Sequence, residues 1–188
     1  MQWIVLKPNS WPLQKNGQPP NRQAIAARCQ ALKMPLAGHD DATDDHVIES
    51  RQLGSVIAEF PTTYAAAQAT REHGMHILMG APNIVRGGSH SGNVAAHTLA
   101  SAGLLDILSS DYYPASLLDA AFRLADSEEN AYDLPQAIRL VTRNPAQALN
   151  LTDRGSITQG SRADLVLAHR HGEHVHVSNV WRQGRQVY

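Results

Sequence analysis

Four short and almost continuously apolar segments recur along the middle of the chain, and a helix-like stretch follows each of them. The segments are 34–38, 55–58, 76–79 and 106–109, and the helix-like stretches are 44–52, 64–73, 94–101, 115–125 and 134–149. Strands that alternate with helices at this spacing form parallel βα units. Their continuous apolar character is typical of strands with both sheet faces covered. The sequence therefore predicts an α/β fold of four βα units.

The two ends of the chain differ from this repeat. Residues 1–20 are rich in proline and lack periodicity, so they are predicted to form an irregular leader without an assigned role. Asn21 is placed to cap a helix that runs to Leu32. After residue 150 the pattern is β-like at 155–157, 163–167, 175–177 and 180–181, with a hairpin at Gly184. The predicted domains are therefore 1–20, a βα array at 21–150 and a small β segment at 151–188.

Composition limits the classes of function. The 188 residues carry a net charge of −1, which argues against nucleic-acid binding and against attraction to an anionic membrane. A single cysteine, Cys29, excludes an internal disulfide and a cysteine-based zinc site. The chain shows no run of about 18 apolar residues and no signal-peptide core, so we expect a cytoplasmic globular protein.

Polar residues stand where the predicted strands end, at 39–41, 59–63, 80–83 and 109–111. Carboxyl ends of parallel strands meet at one edge, where functional loops converge. His39 offers an imidazole to a metal ion, and Asp111 offers a carboxylate that binds metal or accepts a proton from water. Two structural interpretations stay open. Residues 39–41 could form a polar turn with a capping aspartate, and Asp111 could cap the helix after Pro114.

Residues 86–93 form the most unusual stretch, because two glycines follow Arg86 and hydroxyl and amide side chains come after them. Glycines let the backbone approach a ligand, and an arginine can bind phosphate through two hydrogen bonds. Together with Ser89, Ser91 and Asn93 near a predicted helix N-terminus, the stretch fits a polyphosphate or another anion. The alternative is a flexible loop. The stretch lacks the Gly-Lys-Ser/Thr of a Walker loop.

The chain contains ten histidines, a surplus that favours a metal site. His46 lies near His39 on a predicted helix and its role stays open. We expect structural roles for His73, His76 and His97. The remaining histidines of the tail are predicted to lie on a solvated β face: His169, His171, His174 and His176.

Four runs of sequence, 39–43, 59–63, 79–93 and 108–114, resemble the PhnM-type hydrolases of the carbon–phosphorus lyase pathway. Residues 160–166 and 180–184 are similar to the closing β segment of the wider amidohydrolase superfamily. The resemblance extends from Asn21 to Tyr188. It implies the C-terminal half of a (β/α)8 TIM-like amidohydrolase barrel followed by a small β segment.

The resemblance also implies a reaction and a set of residues. The reaction is metal-dependent hydrolysis of the small molecule α-D-ribose 1-methylphosphonate 5-triphosphate to the 5-phosphate and pyrophosphate. His39 falls where the superfamily places the metal ligand after the fifth strand. Asp111 falls where it places the ligand and proton acceptor after the eighth. The ion would be zinc, manganese or iron. The candidate substrate-binding residues are Asn83, Arg86, Ser89, His90 and Asn93.

The sequence also departs from the superfamily pattern. Residues 59–63 contain no histidine where the sixth strand usually ends in a ligand, so the number of metals stays open. The His-x-His pair of the first strand and the bridging residue of the fourth have no counterpart, and the pair at 174 and 176 is out of order. A half barrel leaves open sheet edges. We therefore expect a homodimer, association with the missing N-terminal half, or an unstable chain.

Two other functions remain open from the sequence. A generic amidohydrolase of the dihydroorotase or hydantoinase kind would cut a cyclic amide. A barrel remnant without catalytic activity would serve as a binding module.

Overall fold

The computed structural model describes residues 4–6, 18–89, 91–172 and 174–188. In chain order these contain β1 (Ile4–Leu6), α1 (Gln18–Ala31), β2 (Leu36–His39), α2 (Asp44–Gln52), β3 (Ser55–Glu59), α3 (Tyr64–Glu72), β4 (His76–Gly80), α4 (Ala81–Arg86), α5 (Ala96–Ser101), β5 (Ile107–Ser109), α6 (Ser116–Asp126), α7 (Leu134–Arg139), α8 (Arg143–Ala148), β6 (Leu165–His171), β7 (His174–Arg182) and β8 (Arg185–Gln186). None of the helices in these ranges is long and apolar enough to cross a membrane.

The first five strands form one parallel sheet in the order β1-β2-β3-β4-β5, so neighbours in sequence are neighbours in the sheet. Successive residues of a strand point to opposite faces. Ile77 and Met79 of β4 accordingly belong to a large buried cluster with residues of the flanking helices, including Leu99 and Leu124. Leu78 belongs to a second cluster. Both faces of the sheet are covered in the described residues, which explains the continuous apolar character of its strands.

Hydroxyl side chains at the strand ends start the helices on the carboxyl side of the sheet. The Thr43 hydroxyl accepts a hydrogen bond from the backbone N–H of His46 at the start of α2. The Thr63 hydroxyl does the same for Ala66 at the start of α3. Each threonine satisfies an N–H group that the helix leaves without an internal partner. The chain therefore turns from strand to helix within four residues of each strand end.

The prediction of an irregular leader at 1–20 is wrong at both ends of that range. Ile4–Leu6 forms β1, which pairs in parallel with β2, so the sheet has five described strands instead of four. Helix α1 begins at Gln18 and not after Asn21. Its first turn contains Pro19 and Pro20, where proline is tolerated because those N–H groups lack helical partners. Residues 7–17 lie outside the described ranges.

Three helical regions differ from the prediction in existence, division or bounds. Helix α4 begins directly after β4, so Asn83 and Arg86 lie on a short helix where a loop was expected. The predicted helix at 134–149 is divided into α7 and α8. Pro145 accounts for the division, because a proline ring clashes with the carbonyl four residues earlier and donates no hydrogen bond. The helix predicted from Val94 begins at Ala96.

The tail forms a separate antiparallel sheet in the order β6-β7-β8. The predicted hairpin at Gly184 is confirmed, with Gln183 and Gly184 in left-handed conformations between β7 and β8. The β-like stretch at 155–157 is not a strand. Polar contacts with Asp119 and Asp126 join the tail to α6. Arg170 forms an ion pair with Asp126 at 2.7 Å, and the Val175 N–H donates to Asp119 Oδ1 at 2.9 Å.

Candidate functional site

A pocket of about 150 Å³ opens at the carboxyl ends of the parallel strands. Its lining residues come from the ends of β2 to β5, from α4 and from the segment between α4 and α5. They are Asp40, Phe60, Pro61, Met79, Gly80, Pro82, Asn83, Arg86, Gly88, Ser89, Ser91, Asn93, Val94, Asp111 and Tyr112. The expectation that the strand ends converge on one site is therefore met in the described residues.

Three residues that line the pocket have left-handed backbone conformations, which are uncommon for residues other than glycine. The φ angles are 61° at Asp40, 56° at Phe60 and 48° at Asp111. Asp40 and Phe60 each extend the sheet by one hydrogen bond, from the Asp40 N–H to Glu59 O and from the Phe60 N–H to Leu78 O. The chain then reverses direction, and this reversal sets the directions in which the side chains leave the strand ends.

Asp111 lies beside the end of β4 because Gly80 has no side chain there. A Cβ atom added to Gly80 would lie 3.0 Å from Asp111 Oδ2, so any larger residue would press against the carboxylate. The alternative interpretation of Asp111 as a helix cap is wrong, since α6 has Ala115 at its N-cap and receives no side-chain cap. The Asp111 carboxylate is therefore available to the pocket.

His39 does not line the pocket, although its neighbour Asp40 does. The imidazole packs edge-on against Phe60 with ring centres 5.3 Å apart, and its Nδ1 lies 2.9 Å from Asp40 Oδ2. The capping interpretation of residues 39–41 is also wrong, because Thr43 caps α2. In the described parts of the chain, no three His, Cys, Asp or Glu side chains converge as a set that could hold a metal ion.

Asp41 is buried and supports the loop that carries the pocket residues. Its Oδ1 accepts a hydrogen bond from the Ser50 hydroxyl at 3.2 Å, and its carbonyl accepts one from the Thr62 N–H at 2.9 Å. Burial raises the pKa of Asp41 to about 6, because an ionised carboxylate loses its hydration there. Asp41 thus ties the end of β2 to the end of β3.

The stretch that begins at Arg86 lines the same pocket as Asp111. Arg86 Nη1 donates to the Tyr112 hydroxyl at 3.3 Å, and the Ser89 and Ser91 hydroxyls lie 3.2 Å apart. Arg86, Ser89 and Asn93 line the pocket, and their role in substrate binding stays a prediction. His90 lies outside the described residues.

Asn83 has a structural task besides lining the pocket. Its Oδ1 accepts a hydrogen bond from the Ala96 N–H at 3.0 Å, and its carbonyl accepts one from the Gly88 N–H. The first N–H of α5 is therefore occupied by Asn83. The predicted contribution of this helix N-terminus to anion binding is not supported.

Several pocket residues were not predicted from the sequence, and Asp40, Phe60 and Tyr112 are the main ones. Asp40 follows His39, Tyr112 follows Asp111, and Phe60 lies within the strand-end segment 59–63. Their position at the carboxyl ends of predicted strands was a signal that could have identified them. The sequence does not show, however, which of two adjacent side chains faces the pocket.

The other histidines in the described ranges do not line the pocket. His46 Nδ1 accepts a hydrogen bond from the Ala42 N–H at 3.3 Å, so it supports the turn before α2. The four tail histidines lie on β6 and β7 and are exposed, as the sequence predicts: His169, His171, His174 and His176.

Comparison with known sequences gives a family and a relative. The model of the Amidohydrolase family matches residues 22–188. An α-D-ribose 1-methylphosphonate 5-triphosphate diphosphatase of Escherichia coli (strain K12) is 72% identical over 169 residues, which are 90% of this chain. The same match covers 45% of that relative, so the chain spans about half its length.

Comparison with solved structures supports the same fold. An uncharacterized protein matches with a TM-score of 0.68 at 19% identity, covering 98% of this chain and 55% of that one. A zinc-bound adenosine deaminase from Xanthomonas campestris matches with a TM-score of 0.60 at 22% identity, covering 89% of this chain and 48% of its own. These likenesses confirm the predicted α/β fold as part of a TIM-barrel amidohydrolase.

Proposed function

The chain belongs to the amidohydrolase family, and from this premise we propose that it carries part of the active site of a diphosphatase. The assembled enzyme would convert α-D-ribose 1-methylphosphonate 5-triphosphate to the 5-phosphate and pyrophosphate. One observation carries the proposal: Asp111 and Arg86 line the same pocket in a chain 72% identical to a relative of that name. Because the chain spans 45% of that relative, the activity is proposed for the assembled protein.

The polar groups of the pocket come from two parts of the fold. Asp40 and Asp111 place carboxylates at the strand ends, while Arg86, Ser89 and Ser91 come from α4 and the segment after it. Arginine and hydroxyl donors stabilise phosphate oxygens. Carboxylates repel phosphate but accept protons. This set of groups suits a substrate whose phosphate oxygens contact Arg86 and whose reacting bond lies near Asp111.

The reaction needs a base and a group that compensates negative charge. The oxygen of a water molecule forms a bond to the α-phosphorus while the phosphoanhydride bond between the α- and β-phosphates breaks. Asp111 accepts the proton of that water, and pyrophosphate leaves with the bridging oxygen. Arg86 donates hydrogen bonds to the phosphate oxygens and offsets charge as the bond breaks.

We extend the proposal to a divalent metal, zinc, manganese or iron, with His39 and Asp111 among its ligands. Such an ion would supply Lewis-acid assistance and lower the pKa of bound water. The described residues do not complete the site, since no three potential ligands converge in them. Further ligands would have to come from elsewhere in the assembled protein. This observation favours a second candidate, in which the chain alone is inactive and serves as one component.

A chimera tests the proposed activity. The matching 169-residue segment of the E. coli diphosphatase is replaced by this chain's segment, and hydrolysis of the ribosyl triphosphate is followed by ³¹P NMR. We expect release of pyrophosphate and a folded protein by circular dichroism. A folded chimera that leaves the triphosphate intact would overturn the proposal. Cleavage of a cyclic amide in place of the triphosphate would favour the hydantoinase-like alternative.

Replacing Arg86 tests the phosphate-binding side in the chain itself. Titration calorimetry with inorganic tripolyphosphate should show affinity about 10- to 100-fold lower in Arg86→Ala, since one charge-assisted contact is lost. The control is Arg139→Ala, because Arg139 is exposed on α7 and does not line the pocket. Equal affinities in the two variants would remove Arg86 from the binding site.

A further inference from the structure

Arg86 has an uncharged hydrogen-bond partner, although two carboxylates line the same pocket. Its Nη1 donates to the Tyr112 hydroxyl at 3.3 Å. The two carboxylates are those of Asp40 and Asp111. Among the residues that the structure describes, Arg86 forms no ion pair with an Asp or Glu side chain. The positive charge of Arg86 is therefore not neutralised by either carboxylate of the pocket.

The position of Arg86 on its helix explains why a partner for its side chain matters. Arg86 is the last residue of α4 and is exposed, and Gly87 follows it in a left-handed conformation with a φ of 78°. An exposed arginine samples many rotamers, so ordering it around a ligand costs conformational entropy. A hydrogen bond that exists before the ligand arrives lowers that cost. The Tyr112 hydroxyl supplies such a bond in the free protein.

The turn after β5 fixes the backbone of Tyr112. The Tyr113 N–H donates to the Ser110 carbonyl at 3.0 Å, which closes the turn around Asp111 and Tyr112. Asp111 has a left-handed φ of 48° within this turn. The backbone that carries the Tyr112 ring is thus held by its own hydrogen bond, independently of the contact with Arg86.

A second hydrogen bond joins the two segments that carry Arg86 and Tyr112. Helix α6 begins at Ser116, shortly after Tyr112. Arg123 of α6 donates through Nη1 to the Val85 carbonyl at 3.2 Å, and Val85 directly precedes Arg86. Helices α4 and α6 are therefore tied together next to the Arg86–Tyr112 contact, so that contact does not depend on one bond between two free side chains.

A phenol suits the task of holding an arginine that must bind an anion. Its oxygen accepts a hydrogen bond and is uncharged at neutral pH, and a guanidinium has five N–H donors. The bond to Tyr112 thus leaves four donors of Arg86 for a ligand. A carboxylate partner would instead occupy two donors and cancel the charge that attracts phosphate.

We propose that Tyr112 is a positioning residue for phosphate binding, whose hydroxyl holds the Arg86 guanidinium in the pocket and apart from Asp40 and Asp111. The role rests on the proposed function, because that function assigns Arg86 to the phosphate oxygens. It adds a residue that acts through Arg86 and does not itself contact the anion.

A double-mutant cycle tests this role by titration calorimetry of the full chain with inorganic tripolyphosphate. Tyr112→Phe removes only the hydroxyl, and the affinity should fall about 3- to 10-fold, as expected for one hydrogen bond. In the Arg86→Ala chain the same substitution should change the affinity by less than about 1.5-fold, because no guanidinium remains to be held. The matched control is Tyr113→Phe, since Tyr113 is the next residue, is also exposed and does not line the pocket. Its affinity should equal that of the parent.

NMR of the arginine side chains gives a second measurement that needs no ligand. The Nε–Hε resonance of Arg86 is assigned by its absence in Arg86→Ala. It should shift in Tyr112→Phe without tripolyphosphate, because the guanidinium loses its partner, and it should stay unchanged in Tyr113→Phe. An unchanged Arg86 resonance in Tyr112→Phe would contradict the positioning role.

The outcomes separate this role from the proposed function. A loss of affinity in Arg86→Ala but none in Tyr112→Phe would overturn the positioning role alone. Equal losses from Tyr112→Phe in both backgrounds would show that the phenol contacts the anion itself, and would overturn it as well. A parent that does not bind tripolyphosphate, or an Arg86→Ala chain that binds it as tightly as the parent, would overturn both. Circular dichroism confirms that each variant is folded.

Discussion

Asp111 and Asp40 hold their carboxylates at the pocket through left-handed backbone conformations, with φ angles of 48° and 61°. Such conformations cost a non-glycine residue free energy, and they persist where the surroundings impose them. At both positions the residue follows a parallel strand and faces the same pocket. Backbone strain is therefore found at Asp40 and Asp111, the two carboxylates of the pocket, and the proposed reaction uses Asp111 as the proton acceptor.

Asp111→Asn in the chimera should abolish most of the turnover. Asparagine keeps the size of the side chain and tolerates the left-handed conformation, so the fold is expected to persist. Loss of a general base lowers kcat by about 10²- to 10⁴-fold. The measurement is pyrophosphate release at saturating substrate, with Asp153→Asn as the control because Asp153 is exposed outside the pocket. Undiminished hydrolysis in Asp111→Asn would discard the role.

Asp41 predicts a pH dependence of stability. Its native pKa of about 6 lies above the ordinary value of 3.8 because the carboxyl is buried. Between these values the native state holds a proton that the unfolded state has lost, so stability falls as pH rises from about 4 to 6. Above about pH 6 the effect of this group is constant. The total loss is about 2–3 kcal/mol.

Asp41→Asn removes that titration and keeps an acceptor for Ser50. Urea unfolding at pH 4 and pH 7.5, in buffer with a chelator, gives the free energy of unfolding of both proteins. We expect the stability of the wild-type chain relative to Asp41→Asn to decrease by about 2–3 kcal/mol across this interval. A difference that stays constant with pH would show that Asp41 does not titrate in this range.

Helix α2 packs closely on β2, and this contact places the turn that carries Asp40. A Cβ atom on Gly38 would lie 2.6 Å from Ser50 Oγ and 3.0 Å from Asp41 Oδ2. Gly38→Ala should therefore displace α2 and lower the free energy of unfolding by about 1–3 kcal/mol. Adding Ser50→Ala should recover part of that loss, since the shortest contact of the added Cβ involves the Ser50 hydroxyl, while those with Asp41 Oδ2 and the Cβ of residue 50 remain.

The matched control for this prediction is Gly88→Ala. A Cβ atom at Gly88 meets nothing within 4 Å. Its substitution should change the free energy of unfolding by less than about 0.5 kcal/mol. Urea titrations of the three variants and the parent give the comparison. Equal stabilities of Gly38→Ala and Gly88→Ala would show that the gap between β2 and α2 adapts without cost.

At the level of elements, apolar runs predicted β2 to β5 because buried parallel strands leave a strong pattern. Strand β1 was missed, since three residues in a proline-rich segment are too few to show periodicity. Helix α4 was not predicted, because the proline and glycines at 80–88 were taken to indicate a loop. In the structure Pro82 lies in the first turn of α4 and Gly87 ends it, two positions that favour these residues. His39 was predicted to lie in the pocket, but its neighbour Asp40 lines the pocket instead. The backbone turn after β2 decides which of the two adjacent side chains faces the pocket, and the sequence does not show that turn.

The five parallel strands form an open sheet in the described residues, with β1 and β5 at its edges. Open strands present unpaired N–H and carbonyl groups, which favour association with another chain. The sequence relative is about twice as long as the matched segment, since 45% of it is covered. We therefore expect the open sheet of this chain to be completed by residues of another polypeptide.

We therefore predict that the purified chain self-associates, and that adding the unmatched part of the E. coli relative as a separate polypeptide replaces self-association by a one-to-one complex. Light scattering coupled to size-exclusion chromatography measures both masses over a range of concentrations. Binding of a hydrophobic dye should fall on mixing, because exposed apolar side chains such as Leu165, Val166 and Leu167 of β6 become covered. A control mixture with an unrelated soluble protein should leave mass and dye binding unchanged. A monodisperse monomer that unfolds cooperatively and ignores the added polypeptide would contradict the prediction, and it would show that the open sheet is stable without a partner.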